Sequence, residues 1–227
     1  MKGQTQAITA TLITTVIVAA IATAYVWGGP LLQKGQAEAD LEQVESEVME
    51  LYDKILEVSN SGSGAAETVS LELDTSSGNT DIQINEEKNF IDIRTNADNI
   101  PYPGDTWTLI RGQSLQNLSI INETDAGDYG IGGEDSPGVV AVEPVSGAGE
   151  RLITYRIEFR NLLTQTPEGT QLRKVDLQAP EGSTASGDVQ ITLSNRGTEF
   201  DSGEDSVTLS TGESIERQRT VVDVTLR

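Results

Sequence analysis

The 227-residue chain contains no cysteine and no histidine. Without cysteine there is no disulfide framework, no thiol nucleophile and no thiolate zinc site. Without histidine there is no Ser-His-Asp triad and no imidazole metal cluster. Positive charge is scarce: 15 Lys plus Arg stand against 36 Asp plus Glu, for a formal net charge of -21. Phosphate backbones are held by Lys and Arg, so nucleic acid is excluded as a partner. Aromatics make up only 4% of the residues, which leaves Val, Ile and Leu to fill most of any core. The sequence has no G-x-S-x-G elbow, no P-loop and no dinucleotide fingerprint. Gly130-Ile131-Gly132-Gly133 sits among strand signals with no helix after it, so it reads as a loop. Paired carboxylates abound, but their abundance makes any single pair uninformative for glycoside hydrolysis. The expectation is a protein without catalytic residues and without a required cofactor.

The acid is spread along the chain rather than gathered in a tail. A surface of this kind stays soluble while repelling itself, a property used in salt-rich habitats. Stability that rises between dilute buffer and molar salt would bear out a halophilic surface.

What is present begins with Ala7 to Trp27, AITATLITTVIVAAIATAYVW, a run without one charge. Crossing a bilayer as a helix takes about 20 apolar residues. The threonines in the run are tolerable because a hydroxyl can bond to a carbonyl one turn earlier. Tyr25 and Trp27 lie at its far end, where amphipathic aromatics favour the membrane interface. Lys2 is the only charge before the run, and a heavily acidic region follows. The positive-inside rule therefore puts the N-terminus in the cytoplasm and everything after Pro30 outside. A secretory signal would have a shorter apolar core and a small-residue cleavage site behind it. Here a short polar leader, Met1-Lys2-Gly3, precedes the run, and aromatics follow Ala22 and Ala24.

Lys2-Gly3 followed by Gln4 resembles the class III, prepilin-type signal of archaeal type IV pilin-like proteins. The family's pattern has Gln, Ser, Glu and Leu at mature positions one, three, five and nine. Those positions hold Gln4, Gln6, Ile8 and Leu12, so two of four match and the acid is missing at Ile8. The resemblance covers roughly the first 60 residues. It implies that a prepilin peptidase cuts between Gly3 and Gln4. It further implies that the apolar helix stays in the mature protein and self-associates in a filament core, with Leu12 among the packing residues.

Gly28-Gly29-Pro30 predicts a kink or short break, because proline has no N–H to donate and clashes with the preceding turn. Leu41, Val44, Val48, Leu51, Ile55 and Val58 then recur at spacings of 3, 4, 3, 4 and 3, a heptad seam of a coiled-coil kind. Glu38, Glu42, Glu45, Glu47, Glu50 and Glu57 surround it. So narrow a stripe suits one partner surface rather than a thick core. Two occupants remain open, the chain's own outer domain or helices of neighbouring subunits.

Ser59 to Gly64 reads as a flexible Gly/Ser linker. Beyond it the period becomes two. Strands are expected over 69–73, 82–84, 90–94, 107–111, 119–121, 139–142, 153–161, 172–177, 189–194, 206–210 and 217–226, divided by Gly, Pro, Asn and Asp. Tyr155, Ile157 and Phe159 share one face of an expected central strand, with Arg156, Glu158 and Arg160 opposite. The fold class is α+β: a long N-terminal helix, then an antiparallel β-sandwich or barrel-like head. The segments are a leader (1–3), the helix (4–59), the linker (60–66) and the head (67–227).

Two features of the head carry candidate chemistry. Asp125, Asp128, Glu134 and Asp135 form the densest set of oxygen ligands in a loop, a candidate for structural Ca²⁺ without EF-hand spacing. Asn117 and Asn122 head glycosylation sequons. The leading expectation is a filament subunit at the cell surface. The alternative is a single-span protein that binds outside the cell without polymerising, and a third reading is a tethered hydrolase.

Overall fold

The computed structural model describes residues 2–71, 80–96, 102–104, 106–112, 130–146, 151–167, 169–180, 182–201, 207–208 and 214–227. One helix, α1 (Lys2–Asn60), precedes fourteen strands. These are Ala66–Leu71 (β1), Asp81–Asn85 (β2), Phe90–Asn96 (β3), Thr108–Arg111 (β4), Gly130–Ile131 (β5), Gly138–Ser146 (β6) and Arg151–Phe159 (β7). Leu162–Thr166 (β8), Gly169–Gln178 (β9), Thr184–Ser186 (β10), Val189–Asp201 (β11), Val207–Thr208 (β12), Ser214–Ile215 (β13) and Arg217–Leu226 (β14) complete the set. The α+β class holds. Two six-stranded sheets, ordered β1-β11-β14-β9-β8-β5 and β10-β2-β3-β7-β6-β4, carry the head, with β12-β13 as a separate pair. Pairing is antiparallel except at β14/β9 and β5/β8. The expected strand at 119–121 lies outside the described residues.

The strand carrying Tyr155, Ile157 and Phe159 is central, as its alternation implies. Strand β7 lies between β3 and β6, and those three side chains are buried. The opposite face is covered too, contrary to a simple in/out alternation. Glu158 and Arg160 are buried. Arg156 donates from Nε and Nη2 to Asp92 at 2.7 and 2.9 Å, and lies over the rings of Phe90 and Trp107. A planar guanidinium suits this site because it binds a carboxylate with two hydrogens and stacks on aromatics.

The two sheets are joined at Asn89. It is the one described non-glycine residue with positive φ (59°), a conformation in which Asn is enriched. Its buried amide donates to Phe159 O in one sheet and to Val175 O in the other, and its Oδ1 accepts from Leu177 N. A buried amide with this many partners fixes the turn between β2 and β3 against both layers.

The helix α1 runs through Gly28-Gly29-Pro30, so a short break does not form there, and it takes in Gly3 and Gln4 at its start. Proline removes a single N–H···O bond, and the helix continues on both sides. The segment after the helix is not a free linker either. Gly62 and Gly64 adopt positive φ (85° and 87°), and Gly64 N donates to Asn195 O at 2.8 Å. Ser63 Oγ also donates to Arg196 O at 3.1 Å. Glycine here forms a tight bend tied to β11.

Candidate functional site

The helix divides into two lengths with opposite surroundings. From residue 38 onward the acidic seam is filled: Leu41, Val44, Val48, Leu51, Ile55 and Val58 join the single large apolar core of the head. That core includes Val69, Leu71, Ile191, Leu193, Val222 and Val224 of one sheet and Ile91, Ile93, Val140, Val142, Tyr155 and Ile157 of the other. The occupant of the seam is therefore the chain's own head, and these six residues are not available to a neighbouring subunit's helix. The buried face is also wider than a heptad seam, because Tyr52 is fully buried and Met49 and Leu56 pack on the core. Hence the helix lies within a thick core and not on one flat surface, which corrects the narrow-stripe reading. Position 52 falls one residue after a seam position, so 3-4 spacing alone passes over it.

Polar contacts lock this half in place. The Tyr52 ring stacks on Phe159 with centroids 5.9 Å apart. Its hydroxyl donates to Gly138 O at 3.0 Å and contacts Ser136 Oγ. Gly138 leaves the space this needs: a Cβ there would come within 2.9 Å of the Phe159 ring. Arg111 pairs with Asp53 at 2.8 Å, and its guanidinium lies 5.0 Å from the Tyr52 ring centroid. At the C-terminal end, Asn195 Nδ2 donates to Val58 O and Ser59 O at 2.9 and 3.1 Å. The last carbonyls of a helix lack internal partners, so this buried amide acts as a cap from β11. A bulge places it there, since the β11/β14 register shifts between Asn195 and Gly197. At the entry end, Tyr102 donates to Glu45 Oε2 at 2.6 Å. Burial, and then this bond, hold the Tyr102 proton well above the usual range for a phenol. Burial, with Tyr102 and Glu45 beside it, does the same for Tyr155.

Among the described residues, the apolar side chains of the front length are exposed. Leu12, Ile13, Val16, Ile17, Val18 and Ile21 are each more than half exposed. Tyr25, Val26, Trp27, Leu31 and Leu32 are more so, up to 83% at Tyr25. This is the one described helix long and apolar enough to cross a membrane. From Leu12 to Leu32 it rises about 30 Å, close to the thickness of a bilayer's hydrocarbon layer. Thr23 Oγ1 donates to Ala19 O at 2.8 Å, so that hydroxyl is satisfied within the helix and needs no water. Leu12 stands on this exposed length.

Most of the other candidates lie beyond what the structure describes. Asn117, Asn122, Asp125 and Asp128 lie outside the described residues. Glu134 is exposed, and Asp135 faces Arg160 Nη2 at 3.9 Å. Among the described residues no group of three or more acidic side chains is placed to hold a metal ion. No family model, curated protein or solved structure matches the chain.

Proposed function

We propose that the chain is the structural subunit of an archaeal type IV pilus-like surface filament. A prepilin peptidase would cut between Gly3 and Gln4. The front of α1 would hold the subunit in the membrane first and pack among like helices in a filament core afterwards. The acidic β head would face outward for adhesion or contact, with assembly and binding rather than turnover as its activity. One observation carries this reading: one helix leaves the large apolar side chains from Leu12 to Leu32 more than half exposed, yet buries its Leu41–Val58 seam in its own head. An apolar surface of that extent needs lipid or other helices to cover it. The prepilin-like leader favours processing ahead of the helix.

A second reading has its own support. The head already fills the seam at Leu41–Val58, so of the apolar surface of α1 only the front length is left to pack against other helices. A non-polymerising, membrane-anchored binding protein needs nothing more. Native N-terminal sequencing together with immunogold electron microscopy of cells separates the two. Gln4 as first residue and head epitopes along filaments are expected. An intact Met1 with label confined to the cell envelope would overturn the filament reading.

A further inference from the structure

Two grooves lie at opposite ends of the buried length of α1, and their charges are opposite. The first, of about 610 Å³, opens where the helix enters the head; Leu41, Met49 and Tyr102 line it together with Glu38, which pairs with Lys34 at 3.7 Å, Glu45, which accepts from Tyr102, and the exposed Glu42. The second, of about 400 Å³, opens where the helix ends. There Leu56, Pro137 and Leu162 adjoin two consecutive cations, Arg173 and Lys174. From Glu42 to Asn60 the helix rises about 27 Å, so one small ligand cannot span both.

The basic end is unusual for this molecule. Acidic residues outnumber basic ones 36 to 15. Arg94, Arg111, Arg156, Arg160, Arg196 and Arg219 are each engaged by a carboxylate of the same chain. Arg173, by contrast, is exposed and has no carboxylate partner among the described residues. It stands beside apolar surface at the opposite end from a triplet of carboxylates, also beside apolar surface. Opposite charges on two different patches of one molecule favour a head-to-tail contact, which propagates into a filament when its rotation does not close a ring.

Building on the filament reading, we propose that heads contact one another head to tail, the Arg173–Lys174 groove of one copy meeting the Glu38–Glu42–Glu45 groove of the next. A second copy is the occupant favoured by charge complementarity. It is also favoured because both grooves lie along the helix that would run with the filament axis.

The absence of cysteine gives a clean test. Full-length Glu42→Cys and Arg173→Cys chains, each with a single thiol, are mixed in detergent and oxidised. The mixed 42–173 disulfide is expected to exceed the 42–42 and 173–173 products by on the order of tenfold, the ratio about 1.4 kcal/mol of pairing preference gives. In cysteine-free chains, Glu42→Lys or Arg173→Glu alone should weaken association by a similar factor in sedimentation, and the double exchange should restore it. Equal yields of the three disulfides, or no restoration, would overturn the contact. Filaments on cells without a 42–173 product would overturn the contact and leave the subunit reading standing. Mixed disulfides from a chain that never forms filaments would support the contact and overturn that reading.

Discussion

The two lengths of α1 share one backbone and differ in where their apolar side chains find cover. Ile17 and Ile55 make the point. Both are isoleucines on the same helix, yet Ile17 is 52% exposed and Ile55 is fully buried. Around Ile17 the helix is apolar on every side, the pattern of a segment whose surroundings are themselves apolar. Around Ile55, Glu50, Asp53 and Glu57 hold the outward face in water while Leu51, Tyr52 and Val58 turn inward. The charge-free length requires an environment that the chain does not supply. The acidic length meets its environment in the chain's own head.

Substitution by aspartate should separate the two lengths most sharply. Ile55→Asp buries an unpaired carboxylate and is expected to remove cooperative folding of the head, a loss of about 4 kcal/mol or more in denaturant titration. Ile17→Asp should leave the head's unfolding midpoint where it was and instead cost about 3 kcal/mol in a membrane-insertion assay. An equal effect of both on the head would break the division. Next in size, Asn195→Ala removes the cap on Val58 O and Ser59 O and should cost about 2 kcal/mol, with faster hydrogen exchange in the last turn of α1. Tyr52→Phe keeps the stacked ring and removes the hydroxyl bonds, for an expected loss of about 1 kcal/mol by the same titration.

The smallest expected effect is alkaline. Tyr102 and Tyr155 hold their protons more tightly in the folded chain than the ordinary phenol value of 10.0. Their neutral forms contribute stability that is fully present below about pH 10 and is lost as pH rises through their higher folded values. In a spectroscopic titration of the folded chain, Tyr102 and Tyr155 should ionise above the ordinary phenol range, and Tyr102→Phe should reduce that late phase. A late phase left unchanged by Tyr102→Phe would refute this placement.

Much of this fold can be read from side-chain periodicity. Leu41 to Val58 mark the inward line of the helix, and the alternation of Tyr155, Ile157 and Phe159 marks the centre of a sheet, because burial imposes those periods directly. Contacts that depend on partners far along the chain cannot be read that way. Asn195 caps a helix that ends 135 residues before it, and Asn89 bridges strands 70 and more residues away. Nothing local distinguishes these asparagines from those of ordinary turns. The glycines at 62 and 64 mislead for a related reason: composition signals freedom, and Asn195 and Arg196 remove it. The exposed front length was legible as a membrane-competent run. What covers it in the cell lies outside the chain, so no pattern within the chain names it.

The unbroken course of α1 has a mechanical consequence. A pull between the exposed front end and the head runs along the helix axis, so Leu41, Val44, Val48, Leu51, Tyr52, Ile55 and Val58 resist sliding together rather than peeling away one at a time. Because the bend after Asn60 is pinned to β11, the tether offers no slack at its far end. Tension on the rod is delivered straight into the middle of the sandwich, and the head behaves as a bead cast around a wire.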